Sequence, residues 1–575
     1  MMTAFAITHP VATIARGVEN LVLTGENSKS WLVQGACAVL SRVVSLTAFP
    51  VFLLLELTFK RIPKLLLSIG NKEKFDRKLD KVVKYLLGFL FSPLGLRAPE
   101  GMTSFFLKAP AFPTIRPFGV ELQYGQSVGQ VHYPRTAEEL QSIIQQAKQN
   151  QKQVSVIGAG MSQGTQTLPI NPHQVVINTQ HLNKMTLSED KQSVTVESGA
   201  TWEQLQLFLN GHGKSTLVKQ ASDIFSIGGS IGINCHGWAH EYGAISSTVA
   251  SLDIIDANGE LRTLTPKDEL FGCMFGTLGF FGVIVRATLK IADNDRLIEK
   301  TDEIAPEQFQ NFYENNIKHR GYPLFGGRLC LDSTQGNPLR TVCMVHYEKD
   351  KEATNHGAPT ENFTAEPKVG TRLERIGLQL FSNLSDFSVR GLTSWFWTQE
   401  RAHMLQGRKL TRNEAIHPPI KAFKMLRRSH LHAQWLQEYF IKPENLPTFL
   451  AFLGQTLKDY NVRLLNATIR PTPQDPISIL PYAEQDRYAV VICFSQRKTD
   501  KAINRTRAWM EEVNRYLISH GDRYYQAYMP FATREQFETC YGPERVATLR
   551  ALKKKYDPLS LFGNVHTAKY FQETP

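Results

Sequence analysis

Across its 575 residues this chain has no CxxC pair, no nucleic-acid motif and no clean membrane-spanning run. Its seven cysteines, Cys37, Cys235, Cys273, Cys330, Cys343, Cys493 and Cys540, stand far apart. That scatter excludes a disulfide framework and a cysteine-based zinc site. Most of the cysteines fall in apolar runs and read as reduced core residues of a cytosol-facing protein. There is no zinc finger, RNP-like aromatic motif or Arg/Gly-rich tail, so nucleic acid is not an expected partner. The net charge of +12 is better matched to an anionic membrane surface. Apolar residues at 42% and charged residues at 21% are ordinary for a globular protein, and the length calls for more than one core.

The N-terminal region comes closest to a long hydrophobic run. Residues 43–59 are apolar but contain Pro50 and Glu56, and Lys60, Arg61 and Lys64 follow. A spanning helix needs about 20 apolar residues. The run starts too late for a cleaved signal peptide and lacks a small-residue cleavage site. A second apolar stretch, 82–96, follows the basic segment 72–84. Apolar faces flanked by lysines fit an interfacial or hairpin anchor, with a partner-docking surface or a helical domain packed on the rest as alternatives. Residues 1–110 are therefore expected to form an apolar, basic helical extension that associates with a membrane or a partner, and the protein is expected to be membrane-associated and cytoplasmic-facing.

Two glycine-rich segments dominate the next part of the chain. The first, Gly158-Ala159-Gly160-Met161-Ser162-Gln163-Gly164, comes directly after the apolar strand Val154–Ile157. The second, Ser226-Ile227-Gly228-Gly229-Ser230-Ile231-Gly232, precedes Asn234-Cys235-His236-Gly237. Backbone N–H groups reach phosphate oxygens best where no Cβ intervenes, and such nests need positive φ. Two loops of this kind predict a diphosphate held between two nests, hence a dinucleotide and redox chemistry. The Rossmann pattern does not fit, because Thr165-Gln166-Thr167-Leu168-Pro169 breaks any helix after the first loop. Thr136 with Glu139 predicts a capped helix carrying Ile143, Ile144 and Ala147. Strands are expected at Val175–Asn178, Ser193–Glu197, Val249–Ile255, Leu261–Leu264 and 282–291. A helix capped by Thr201 is expected with Leu205 and Phe208 on its apolar face, and a tight turn at Asp256-Ala257-Asn258-Gly259-Glu260.

The order of these elements resembles the FAD-binding domain of the vanillyl-alcohol oxidase family, most nearly its aldonolactone oxidase and decaprenylphosphoryl-ribose oxidase branch. The residues that carry the resemblance are the Gly158–Gly164 loop, Ser226-Ile227-Gly228-Gly229, His236-Gly237, Tyr242-Gly243, the Asp256–Glu260 turn and Gly279-Phe280-Phe281-Gly282-Val283-Ile284. The resemblance implies an α+β protein: a two-subdomain PCMH-type FAD-binding fold at 125–295, an antiparallel-sheet cap or substrate domain at 296–520, and a C-terminal segment, 521–575, that returns to the FAD domain. It implies FAD held by Gly158, Ala159, Gly160, Met161, Ser162, Gln163, Gly164, Ser226, Gly228, Gly229, Asn234, His236, Gly237, Tyr242, Gly243, Ile284 and Tyr525. Several relatives link the flavin to a histidine before the loop serine. Met161 stands there in this chain, and a thioether cannot form that bond, so noncovalent FAD is expected.

The second half reads as a sheet crossed by helices. Strands are expected at 328–331, 340–346, 435–441, 463–470 and 488–494, and helices at 372–406, 443–460 and 498–519. The polar stretch 348–369 reads as a loop. The aromatics Phe381, Phe387, Trp395, Phe396 and Trp397 read as core in preference to a rim gripping an apolar substrate. In the decaprenylphosphoryl-ribose branch, lysines stand at the positions of Trp238 and Tyr528, which argues against a polyprenyl-phosphate sugar substrate here. The flavin implies hydride transfer from a CH–OH type substrate such as a sugar, lactone, alcohol or lipid-linked polyol. Tyr528 is the candidate base, with Arg470 expected to lower its pKa. The alternatives are a flavin-dependent reductase of an isoprenoid or sterol double bond, or a non-catalytic flavin-bearing protein that binds a membrane or partner. No metal is expected, and the electron acceptor, oxygen, a quinone or another, is left open.

Overall fold

The computed structural model describes residues 131–572 except 333, 335, 362, 364–388, 417–431, 498–499 and 530, together with two short strands at 114–115 and 126–127. The N-terminal runs at 43–59 and 82–96, and the aromatics Phe381 and Phe387, lie outside the described residues. Contacts divide the chain into two compact units. The larger holds Phe112–Leu426, Gln434–Gln496 and Arg505–Pro575.

The strands β1 (Val131–His132), β2 (Val154–Ile157) and β3 (Val175–Asn178) form a small parallel sheet in the order β1-β3-β2. Helix α1 (Ala137–Gln149) bridges β1 and β2. Thr136 caps it by accepting from the Glu139 N–H, as its sequence predicts. Leu140, Ile144 and Ala147, at helical spacing, are buried against Val154, Ile177, Ile255, Val283 and Phe562. Phe562 belongs to the C-terminal segment. The Val154 N–H donates to the Leu561 carbonyl at 2.7 Å and the Gly563 N–H to the Val154 carbonyl at 3.0 Å, so residues 561–563 pair with this sheet.

A second sheet is built from β4 (Met185–Leu187), β5 (Ser193–Glu197), β6 (Lys214–Thr216), β7 (Val249–Ile255), β8 (Leu261–Leu264) and β9 (Val283–Asp293). Its order is β8-β7-β9-β5-β4, with β6 beside β9, and its pairs are antiparallel. The Asp256–Glu260 turn joins β7 to β8. Gly259 there has φ of 76°, which only glycine adopts without cost. Helix α2 (Trp202–Gly211) carries the capping box Thr201/Gln204 and buries Trp202, Leu205 and Leu209; Phe208 is only partly buried.

The second glycine-rich segment differs from its expectation. It is a short helix, α3 (Ile227–Gly232), and none of its glycines has positive φ. Glycine serves there for close approach. The Ile227 and Gly228 N–H groups donate to the carbonyls of Ala200 and Ser198 at 2.8 Å each, and a Cβ on Gly228 would sit 2.7 Å from Ser198 Cβ.

The rest builds an eight-stranded sheet from β10 (Arg296–Ile304), β11 (Leu324–Leu329), β12 (Val342–Lys349), β13 (Arg408–Thr411), β14 (His432–Ile441), β15 (Arg463–Thr472), β16 (Arg487–Arg497) and β17 (Arg523–Tyr524). The order is β13-β10-β12-β11-β15-β16-β14-β17. Helices α4 (Val389–Met404), α5 (Leu446–Asp459) and α6 (Asp500–His520) accompany it. Strand β11 begins and ends earlier than its pattern predicts, leaving Cys330 and Leu331 outside it. Trp397 on α4 is a core residue, as preferred from sequence. The mixed helix and antiparallel-sheet architecture agrees with the expected α+β class.

Candidate functional site

A cavity of about 780 Å³ runs between the glycine-rich segments and one face of the large sheet. Gly158, Ala159, Gly160, Met161, Ser162 and Gln163 line one end, with Ser226, Gly228, Gly229 and Ile284. The N–H groups of residues 160–163 donate to no acceptor among the described residues, so they remain available to a ligand. Gly160 has φ of 67°, and a Cβ there, like one on Gly232, would meet no protein atom within 4 Å. Added side chains would project into the space the glycines leave. Ser226 ties the two segments together: its Oγ accepts from the Ala159 N–H at 3.3 Å, and Gly158 is glycine because a Cβ would lie 2.0 Å from that Oγ. The buried oxygens Ser198 Oγ, Ser222 Oγ and Gln220 Oε1 line the same space and have no hydrogen-bond partner. Unsatisfied donors, unpartnered hydroxyls and glycine-held space together fit the diphosphate and ribityl portions of a dinucleotide.

The structure does not bring every expected residue to this wall. The Asn234 amide is committed to Asp475 Oδ2 at 2.8 Å and its Oδ1 accepts from the Ser246 N–H. Gly237 packs against the Lys219 carbonyl, 2.0 Å from where a Cβ would stand, and Gly243 packs against Pro473. Tyr242 is exposed, and Gly164 packs against Gln166 and the Tyr528 backbone. These glycines serve chain packing.

The other end of the cavity is lined by buried polar side chains. Strand periodicity puts Gln434, Leu436 and Glu438 of β14, and Asn466, Thr468 and Arg470 of β15, on the cavity face. His236 is buried and its Nε2 contacts Glu438 Oε1, while its Nδ1 has no partner. Its ring is flanked by Phe440, Tyr482 and Tyr525 at centroid distances of 5.5, 5.8 and 6.4 Å. The Tyr525 hydroxyl donates to the Ile233 carbonyl at 2.6 Å. Arg470 lies 5.5 Å from the Trp238 ring centroid, and its Nε has no partner. Burial lowers the Arg470 pKa, with Glu438 and Tyr528 acting against that shift.

Arg470 and Tyr528 do share this cavity, but the expected activation of Tyr528 is reversed. Its pKa is raised well above the ordinary phenol value, first by burial and then by Glu438; Arg470 pulls it down and is outweighed. Removing a phenol from water costs its anion more than one partly desolvated guanidinium returns. Cys235 also lines the cavity, and burial pushes its thiol up to about 12, consistent with a small core residue. The described cysteines are all free and buried. No cluster of metal-ligating side chains occurs among the described residues.

Glu438 is the residue that sequence reasoning missed. Its signal is a lone carboxylate inside the otherwise uncharged strand Trp435–Ile441, and buried glutamates are uncommon unless paired. Its partner, His236, lies 202 positions away, so only folding reveals the pair.

Residues 129–265 match the family model described as an FAD binding domain. The chain is 23% identical to L-gulonolactone oxidase of Bos taurus over 466 residues, 78% of this chain and 96% of that protein. It is 32% identical to D-arabinono-1,4-lactone oxidase of Yarrowia lipolytica over 164 residues, 27% of this chain and 31% of the relative. It is 29% identical to decaprenylphosphoryl-beta-D-ribose oxidase of Mycolicibacterium smegmatis over 161 residues, 27% of this chain and 35% of the relative.

Proposed function

Because the chain belongs to the FAD-linked oxidases of the vanillyl-alcohol oxidase, PCMH-type family, we propose that it oxidises the carbinol carbon of a sugar, lactone, alcohol or lipid-linked polyol. The observation that carries this reading is a single cavity joining the glycine-held space to the buried cluster of His236, Glu438, Arg470 and Tyr528. The FAD, when bound, supplies the two-electron sink. The free N–H groups of residues 160–163 would hold its diphosphate, with α3 packed beside it, and Ser198, Ser222 and Gln220 would satisfy their unpartnered oxygens on it. Arg470 is placed to orient a substrate hydroxyl, and Trp238, Tyr525 and Phe440 enclose the polar cluster and exclude water. Such exclusion strengthens each hydrogen bond to the substrate.

The relatives named as lactone oxidases make aldonolactones the first compounds to test. Purified protein is expected to carry yellow flavin that bleaches anaerobically with at least one of L-gulono-1,4-lactone, D-arabinono-1,4-lactone, xylitol and D-glucose. Bleaching by NADPH alone would instead favour reduction of a double bond. With Met161 at the attachment position, the FAD is held noncovalently, and acid precipitation leaves a colourless pellet. A yellow pellet would overturn that part of the proposal.

A further inference from the structure

Oxidation of a carbinol releases a proton as well as a hydride, and a side chain beside the reacting hydroxyl can receive the proton. Several groups that line the cavity are poor acceptors. Tyr528 is neutral far above the physiological range. The Cys235 and Cys493 thiols are both pushed by burial up to about 12. The hydroxyls of Tyr525 and Tyr482 are committed as donors to the carbonyls of Ile233 and Asn234 at 2.6 and 2.8 Å. Arg470 and Arg328 are guanidinium groups and have no acceptor atom.

Four carboxylates line the cavity. Glu299 is clasped by Arg408 at 2.9 and 2.7 Å and accepts from the Tyr347 hydroxyl at 3.0 Å. Glu400 is paired with Arg328 at 3.0 Å, and Glu414 closes the capping box with Thr411. Glu438 differs. One oxygen, Oε1, is held by His236 Nε2, and Oε2 has no protein hydrogen-bond partner among the described residues. The residue is buried yet lines the cavity beside Arg470 and Tyr528.

We propose that Glu438 is the proton acceptor of the oxidation, with His236 as the residue that positions it, a proposal that rests on the oxidase reading above. Arg470 orients the substrate hydroxyl toward Glu438 Oε2. The O–H bond breaks and its proton passes to Oε2. The C=O bond forms as the carbinol hydrogen leaves with both electrons to the FAD, which is the oxidant. The substrate loses two electrons and two hydrogens in all, and Glu438 ends protonated. The charged and titratable groups around Glu438 are His236, Cys235, Arg470, Tyr482, Tyr525, Tyr528 and Tyr541, with Lys219 beyond Cys235.

The test uses the full-length holoprotein and the four compounds named above. Glu438→Gln keeps the shape and an acceptor for His236, so FAD content is expected to stay at the wild-type level. Its anaerobic reduction by the compound that bleaches wild type is expected to slow by about 10²- to 10⁴-fold, the usual share of a general base. Tyr528→Phe is expected to slow it by no more than about tenfold, since a neutral phenol is not the base. Glu438→Asp, which restores a carboxylate on a shorter stem, is expected to fall between wild type and Glu438→Gln. A second readout does not depend on rate. Infrared difference spectra of wild type, reduced by substrate minus oxidised, are expected to gain a protonated-carboxyl band that Glu438→Gln lacks. If Glu438→Gln is reduced within about tenfold of wild type, or the band survives in it, Glu438 is not the acceptor while the oxidase reading stands. If none of the four compounds reduces flavin-loaded wild type, the oxidase reading itself fails and takes the acceptor with it.

Discussion

Buried ionisable residues in this protein are tuned mainly by loss of water, and at single sites the direction of that tuning predicts behaviour. His566 is 2% exposed, its Nε2 has no partner, and burial, then Lys569, lowers its pKa from 6.5 to about 3. The unfolded chain therefore takes a proton on this residue near pH 6.5, whereas the folded chain does not until about pH 3. The stability this provides is complete above pH 6.5 and falls as pH drops toward 3, by up to about 1.4 kcal/mol per pH unit. His566→Leu is expected to flatten the acid limb of a urea-midpoint profile by up to that slope, and an unchanged limb would show that other groups dominate. The same physics sets Tyr528 against its expected role. The sequence suggests Arg470 as its neighbour but not the depth of its burial or the carboxylate of Glu438 beside it.

Among the elements, α3 shows how one pattern of glycines can serve two ends. From sequence, Ser226–Gly232 looks like a second phosphate loop because glycine density is what both a nest and a tightly docked helix require. Folding selects the helix, because β5 ends beneath it and, just past that strand, the Ala200 and Ser198 carbonyls accept the Ile227 and Gly228 N–H groups, respectively, at 2.8 Å each. Gly228→Ala is expected to lift α3 by forcing a Cβ to 2.7 Å from that of Ser198. The cost of such overpacking is about 1–3 kcal/mol. Because Gly229 and Ser226 line the cavity, the variant is expected to lose FAD on gel filtration while keeping a wild-type circular dichroism spectrum. Full flavin retention would mean that α3 does not hold the cofactor. Other elements were legible because their signals are local: the Thr136 and Thr201 caps, the turn at Gly259 and the apolar stripe of α1 each depend on residues within a few positions.

For the whole molecule, the N-terminal 110 residues add two apolar runs with basic flanks to the flavoprotein. No helix among the described residues is long and apolar enough to cross a membrane, and the apolar runs at 43–59 and 82–96 lie outside them. We propose that this extension attaches the protein to a cytoplasmic membrane surface, on the strength of those runs, the basic residues beside them and the net charge of +12. The full-length protein is expected to float with vesicles containing phosphatidylserine and much less with neutral phosphatidylcholine vesicles. Absence from both floating fractions would refute surface attachment. The sequence by itself determined many of the strands, the caps, the first glycine-rich loop and, through resemblance, the flavin, because each is written in neighbouring residues or a recurring motif. Only the tertiary structure decided that the second glycine run is a helix, that Asn234 bonds to Asp475 while Gly237 and Gly243 serve packing, and that Glu438 meets His236 across 202 positions. Burial and long-range pairing depend on which distant segments exclude water together, and no local pattern in the chain records that.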